Sequence, residues 1–360
     1  MDTRLQRLRT IFQDHAVDAF LISSSANIFY LSGFDRFLQD HDGFFLVTNN
    51  RSYLITSPLY TEAVKKFTPL VAVLETNKDM WYAQMVKKIA TKQHIKTIGF
   101  EENDLRVSEY FDLQEEKISL KSVSLRNLRS QKDTDELAKI QEASRLTDET
   151  FAHVLPFIRE GVTELELAAR MQEFLRSHHA DMGFPSIVAF GQHAAVPHHM
   201  TSSEKLTKNS FVLFDFGAAY KKYVSDMSRT VFFGTPTSEQ VRLYETVQKS
   251  QQTAIDCIQN NLGNDLFGKT VDEMARTVIT NALFPAYPHA LGHGVGLEVH
   301  EAPTLSLYSP EKLIEGMVFT LEPGIYVPGF GGVRIEDVFT IQNKKLKQLT
   351  KSTKELIVIA

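Results

Sequence analysis

Apolar spacing divides the chain into elements. In RLQRLRTIFQDH, Leu5, Leu8, Ile11 and Phe12 share one face of a helix. AVDAFLIS is a short apolar run that predicts a strand. DGFFLVTNNRSYLIT predicts a hairpin turning at Asn49-Asn50, where asparagine can take φ > 0. IKTIGFE predicts another strand. Helix and strand alternate through residues 1–125, an α/β unit whose sequence shows no catalytic cluster. No internal repeat or low-complexity segment is present.

The pattern changes at SLRNLRSQKDTDELAKIQEASRLTDETF, which has long helical periodicity. A boundary just before it gives a second domain over residues 126–360. Capping boxes mark further helix starts: Thr163 with Glu166, Thr237 with Gln240, and Thr270 with Glu273. Between and after these helices lie the strands SFVLFDFG, YVSDMSRTVFFG, MVFTLEPGIYV and GGVRIEDVFTI. Strands joined mostly as hairpins and interleaved with helices predict an α+β fold, an antiparallel sheet with helices on one face.

Composition acts mainly by exclusion. A chain of 360 residues is too long for one ordinary core, so two domains are expected. Hydrophobic content of 43% and charged content of 23% are those of a soluble globular protein. A net charge of −5 argues against a nucleic-acid binder that works by neutralising phosphates. No apolar run approaches the ~18 residues of a membrane span. The first residues are charged and lack the apolar core of a secretory signal. The single cysteine, Cys257, cannot form an internal disulfide, and a reducing cytoplasm is expected.

Four carboxylates interrupt the apolar strands of the second domain. Asp215 and Asp226 flank Tyr220-Lys221 symmetrically, and a hairpin turning there puts them opposite each other, with Cβ atoms about 4.5–5.5 Å apart. Two bare carboxylates that close repel, and one is forced to hold a proton. An unpaired buried carboxylate also costs roughly several kcal/mol. Glu322 in TLEPG and Glu336 in VRIED repeat the arrangement about PGFGG, with their midpoint at Gly329. HALGHGVGLEVHEAP adds His289, His293 and His300, while Gly292, Gly294 and Gly296 leave room for close backbone approach. Four carboxylates and one imidazole form a ligand set for two divalent cations, whose charge they balance. Oxygen-rich ligation suits manganese, the expected ion, with cobalt and zinc as alternatives. Two such ions lie ~3.5–4 Å apart and share a water. Singly, each residue has a plainer reading: a solvent-facing strand Asp, a strand-end Glu, a hydrogen-bonded core His. The placement of all five on paired apolar strands favours the metal reading.

At these residues the chain resembles the pita-bread metallopeptidases, the family of prolidase, aminopeptidase P and methionine aminopeptidase. The matching segments are AFGQHAAVPHH, FDFGAAYKKYVSDMSRT, GHGVGLEVHEAP and MVFTLEPGIYVPGFGGVRIEDV. The resemblance runs from about Leu125 to the end. The first domain resembles the creatinase/prolidase N-terminal type through NIFYLSGF. The resemblance implies a curved antiparallel sheet covered by helices, with a smaller α/β domain in front. It implies that Asp215 chelates one ion, Asp226 and Glu336 bridge both, His293 binds one, and Glu322 binds metal beside the bridging water. It implies that His198 contacts substrate and steadies the oxyanion, that His300 is a second substrate-side histidine, and that Arg334 helps hold the substrate or the site. His289 matches a histidine near the substrate. His199 stands where many relatives have Gly. Alone, His198 reads as an exposed loop histidine, Arg334 as a surface strand arginine, and His300 as an ion-pair partner of Glu301.

The activity implied is dinuclear-metal hydrolysis of the Xaa-Pro bond in dipeptides or short peptides with proline second. Methionine aminopeptidases typically lack a first domain of this kind, so the resemblance to prolidase and aminopeptidase P is closer. A homodimer is expected from the family. Neither a nucleic acid nor a membrane is expected as a partner. An aminopeptidase P acting on longer peptides stays open. A creatinase-like hydrolase does not need the ligand set, and non-catalytic peptide or histone binders of this fold usually lose it; here it is intact.

Overall fold

The first helix spans Asp2–His15 and buries Leu5, Leu8 and Phe12. The structure is a computed structural model that describes residues 2–37, 39–67 and 71–360. Contacts divide the chain into two compact units, one ending at Leu128 and the other spanning Arg129–Ala360.

In the first unit the described strands form one mixed sheet. Its order is Ala72–Glu75, Ser52–Thr56, Gly43–Thr48, Ala19–Ile22, Thr97–Glu101, Ser119–Val123. The hairpin does turn at Asn49-Asn50, but neither residue takes a positive φ. Thr48 closes the turn instead: its amide donates to Arg51 O at 2.8 Å and its hydroxyl to the same oxygen at 3.0 Å. NIFYLSGF lies in and just after the helix Ser25–Ser32, which Ser24 caps and Gly33 ends at φ 81°.

The second unit opens with the helix Thr134–Val154, started by a further capping box, Asp133 with Glu136. The boxes at Thr163 and Thr237 start the helices Glu164–Ser177 and Ser238–Asn261. Thr270 caps nothing. Its helix begins earlier, spanning Gly268–Asn281, because the Gly268 amide finds a backbone acceptor, Glu311 O at 3.0 Å, and needs no side-chain cap.

Among the described residues, one sheet joins Ile187–Phe190, Ser210–Phe216, Met227–Phe233 and Val358–Ile359. A second joins Glu301–Leu305, Gly292–Gly294, Val318–Leu321, Asp337–Gln342 and Lys345–Gln348, and Gly324–Val327 pairs with Gly331–Arg334 as a hairpin. Strand Ser210–Phe216 shows how a carboxylate gets inside. Its even residues Val212, Phe214 and Phe216 pack with Phe151, Val154, Leu167 and Met171 of the first two helices. Its odd residues Phe211 and Leu213 join a separate core with Leu243, Val247 and Val271 of the later helices. Asp215 shares the parity of Phe211 and Leu213, so both faces of its strand are covered.

The register corrects the first acidic pair. Tyr220 pairs with Tyr223 and Met227 with Phe216, so the hairpin turns one residue later than its symmetry about the aspartates suggests, at Lys221-Lys222. Both lysines have positive φ, 47° and 72°, as a two-residue type I′ turn requires. Asp215 therefore faces Ser228, and Asp226 lies diagonally from it on the same face. Such diagonal neighbours are about 7–8 Å apart. The second pair keeps its expected register. Leu321 pairs with Asp337 and Gly324 with Arg334, which sets Glu322 across from Glu336 with Gly329 at the turn, φ 79°.

Three of the four acidic positions fall in strand breaks, at Ser225-Asp226, Glu322-Pro323 and Ile335-Glu336. A break frees backbone groups that must find other partners. Gln251, on the helix Ser238–Asn261, supplies some: its Nε2 reaches Leu321 O at 3.1 Å, Ile335 O at 3.3 Å and the Asp337 carboxylate at 2.9 Å. The Glu322 amide donates to Leu291 O at 2.7 Å and the Glu336 amide to Ser228 O at 3.1 Å.

Candidate metal centre

The breaks gather side chains around one imidazole nitrogen. His293 Nε2 lies 3.3 Å from Glu322 Oε1, 3.6 Å from Asp226 Oδ2 and 4.0 Å from Glu336 Oε1. The Gly292–Gly294 strand can pass this close because Gly292 has no side chain; a Cβ there would stand 2.0 Å from Thr320 O. The His293 amide donates to the Thr320 hydroxyl at 3.1 Å.

Arg334 ties in the fourth carboxylate. It is 3% exposed, not a surface strand arginine. It donates to Asp215 Oδ2 at 2.6 Å, to Ser228 Oγ at 2.7 Å, to Tyr326 Oη at 2.9 Å and to Pro197 O at 3.3 Å. Ser228 in turn donates to Glu336 Oε2 at 2.7 Å. Tyr326 bonds His289 Nε2 at 2.9 Å, and His289 Nδ1 meets Ala290 O at 2.7 Å. Both ring nitrogens of His289 thus have partners within the protein, and Nδ1 also lies 3.8 Å from Glu322 Oε2. Ser228 and Tyr326 were not among the candidates read from the sequence. Each shares strand parity with one that was, Asp226 and Glu322 respectively, and that parity was the available signal.

Crowding of like charges shows in the protonation behaviour. Burial, and then the charges of Glu336, Asp215 and Glu322, hold the Asp226 pKa well above the ordinary carboxylate value. Burial, then Glu322 and Asp215, push Glu336 up to about 8. Burial and Glu322 also raise Asp215, against the pull of Arg334. Burial alone would raise Glu322 too, but the hydrogen bond and charge of His293 bring it below the ordinary value. For His293 burial works downward, yet Glu322 and Glu336 push it up to about 9.

Two buried oxygens, Asp226 Oδ1 and Glu336 Oε1, have no hydrogen-bond partner among the described residues. Buried polar atoms are rarely left so. Asp226, His293 and Glu336 each offer a ligand atom within 4.8 Å of the others. Orphaned acceptors on mutually repelling carboxylates are what a divalent cation relieves, and the residues fit one. A second cluster, Glu164 with His193 and His199, brings its ligand atoms equally close together but differs in kind. Both Glu164 oxygens already accept hydrogen bonds, from Phe190 N, Ser202 N, Ser202 Oγ and the two imidazoles.

Metal ligands must lose their protons. Loading the metal-free protein at pH 7 is therefore expected to release about two protons, from His293 and Glu336. Calorimetry in buffers of different ionisation heat counts them; release of none would mean that the site is already deprotonated.

The remaining candidates lie around this centre. The His300 ring meets the His293 ring edge-on, with centroids 4.4 Å apart. Partial burial and the charges of His293 and, more weakly, His198 lower its pKa against the pull of Glu322. His300 does not pair with Glu301. That carboxylate accepts from Arg129 Nε at 3.0 Å and Lys132 Nζ at 3.0 Å, and from the amides of Leu297 and Glu298, so it fixes the loop before His300. Burial pushes the Glu301 pKa up, but Lys132 and Arg129 carry it below the ordinary value. A depressed folded-state pKa adds stability that is complete above the unfolded carboxylate pKa and is lost as pH falls through the lowered one. Glu301→Gln should accordingly destabilise the fold at pH 7 and much less at pH 3, as denaturant melts at the two pH values would show. His198 is exposed, on the segment that follows the 3₁₀ turn Gly191–Ala195.

The chain belongs to metallopeptidase family M24. The model of that family matches residues 138–343, and that of the creatinase/prolidase N-terminal domain matches residues 4–131. The chain is 31% identical to a Xaa-Pro dipeptidase of Pyrococcus horikoshii over 99% of both sequences. Among solved structures it is similar to a Xaa-Pro dipeptidase from Bacillus anthracis, with 33% identity and a TM-score of 0.91 over 99% of each chain. It is also similar to an X-Pro aminopeptidase from Thermotoga maritima, with 31% identity and a TM-score of 0.84 over 96% of this chain and 98% of that one. Among the described residues no helix is long and apolar enough to cross a membrane.

Proposed function

We propose that the protein is a dinuclear-metal Xaa-Pro peptidase acting on dipeptides or on the first bond of short peptides. The observation that supports this most is the pair of orphaned buried oxygens on Asp226 and Glu336, residues that with His293 each offer a ligand atom within 4.8 Å of the others. Asp215, Asp226, His293, Glu322 and Glu336 would hold two divalent ions, manganese first, with cobalt or zinc as alternatives. When bound, the ions lower the pKa of a water and polarise the scissile carbonyl.

The chain's own groups do the rest. Glu322 accepts the proton of the attacking water and returns it to the leaving nitrogen. His198 donates to the developing oxyanion. His300, edge-on to His293, lies on the substrate side. Arg334 orients Asp215 directly and Glu336 through Ser228, and the Tyr326 hydroxyl joins it to His289, which stands near the substrate. Proline in the second position lacks the N–H that strand-like binding of a substrate uses, so a site that grips the chain end by amine and ring suits it. A homodimer in the cytoplasm completes the reading; the lone Cys257 fits a reducing compartment.

The X-Pro aminopeptidase likeness supports a second substrate range, longer peptides. A panel of Ala-Pro, Ala-Pro-Ala and Ala-Ala, each with added manganese, cobalt or zinc, separates the cases by the product released. Cleavage of Ala-Pro alone identifies a dipeptidase, and cleavage of the tripeptide an aminopeptidase. Metal-independent cleavage, or none of either proline peptide, would refute the proposal.

A further inference from the structure

The helix Glu164–Ser177 begins with a carboxylate it does not use for its own cap. Thr163 and Glu166 already form the capping box. Glu164 turns away and is fully buried. Its Oε1 accepts from Phe190 N at 2.9 Å and His193 Nδ1 at 2.9 Å. Its Oε2 accepts from Ser202 N at 2.9 Å, Ser202 Oγ at 2.7 Å and His199 Nε2 at 2.8 Å. One carboxylate thus grips the start, the middle and the end of the segment Phe190–Ser202. The His193 and His199 rings stack beside it, with centroids 4.3 Å apart.

His198 lies on that segment. Its two chain neighbours are each held from a different direction. Pro197 O accepts from Arg334, the residue that also binds Asp215, while the His199 ring is held by Glu164. We infer that Glu164, acting through His199, is a positioning residue for His198. With both neighbours fixed, the His198 imidazole keeps little freedom beyond its own χ angles. The inference rests on the proposed role of His198 at the oxyanion. A glutamine at 164 would have the right shape but one carbonyl oxygen. Either the donors on Oε1 or those on Oε2 would then face an amide N–H.

The test uses the full chain loaded with manganese and an Ala-Pro substrate. Glu164→Gln and His199→Leu should each lower kcat about 10- to 100-fold, the scale of a misplaced catalytic group. KM and bound metal should stay near wild type. His199→Gln, which keeps an N–H for Glu164, should retain most of the activity. His198→Ala should lower kcat, and adding Glu164→Gln to it should change kcat by no more than about twofold, since the two act through one group. Independently of turnover, the His198 ring signal in NMR of metal-free protein, identified by its loss in His198→Ala, should move in Glu164→Gln and His199→Leu but not in His199→Gln. If Glu164→Gln lowered kcat by the same factor with His198 present and with His198→Ala in place, the inference would be overturned, as it would by a wild-type kcat in Glu164→Gln. If Glu164→Gln fails to fold, His199→Leu completes the same cycle. Wild-type turnover in His198→Ala would overturn the functional reading of His198, and the inference with it, by a result visible in that single variant.

Discussion

Asp226→Asn should strip the protein of most of its metal and cut hydrolysis by roughly a thousandfold, without weakening the metal-free fold. The first effect follows from charge. Asp226 is 3.6 Å from His293 and shares a ligand cluster with it and Glu336. A neutral amide is a poorer ligand for a hard cation than a carboxylate. The Lewis-acid contribution of bound ions is several kcal/mol, and each 1.36 kcal/mol is tenfold in rate, which gives about three decades. The second effect runs the other way. Without metal, Asp226 carries a buried, unpartnered oxygen among other carboxylates. Folding raises the pKa of this carboxyl, so at neutral pH the folded state must take up a proton that the unfolded chain lacks; asparagine needs none, so the melting temperature of chelator-treated Asp226→Asn should equal or exceed that of chelator-treated wild type. Metal analysis, a proline-release assay and thermal melts check all three. Full metal content in the variant would remove Asp226 from the ligand set.

Arg229→Met should cost about 3–5 kcal/mol, the range for breaking a buried ion pair by removing one partner. Arg229 is 1% exposed and Asp337 is fully buried. The guanidinium bonds Asp337 Oδ1 at 2.6 Å and four backbone carbonyls, those of Ser228, Glu336, Ser352 and Thr353. Methionine fills similar volume but leaves those acceptors with one donor fewer each. Asp337 keeps Thr350 Oγ1 at 2.8 Å and Gln251 Nε2 at 2.9 Å, but no cation as near. For a unit of this size the loss lowers the melting temperature by roughly 10 °C or more. Ser228 and Glu336 are held by the same guanidinium, so metal affinity should fall as well. A stability loss below about 1 kcal/mol would show that the pair is compensated by relaxation.

The ligand candidates were legible because charge in an apolar strand contradicts its surroundings, and because the second pair is symmetric about a turn, Gly329, that the sequence also marks. The first pair is symmetric too, about Tyr220-Lys221, but the chain bends one residue later, at two lysines with left-handed backbone, a conformation that their identity does not announce. The support for the centre was harder to read. Arg229 and Gln251 matter because of what faces them across more than 80 residues of chain, and no local pattern encodes that. Glu164 stood beside a recognised capping box as one more first-turn acid, where such residues are common for dipole reasons alone. The helix Gly268–Asn281 starts before Thr270 because a tertiary carbonyl, Glu311 O, takes the place of a side-chain cap.

The proton-holding pocket has a consequence for the protein's life history. Burial and like-charge crowding favour the protonated forms of Asp226 and Glu336, and the neighbouring carboxylates favour that of His293, so protons can stand in for the missing cation charge. Acquiring the native shape and acquiring metal should thereby be separable events. A chelated sample should therefore keep its fold and take metal back without passing through an unfolded state.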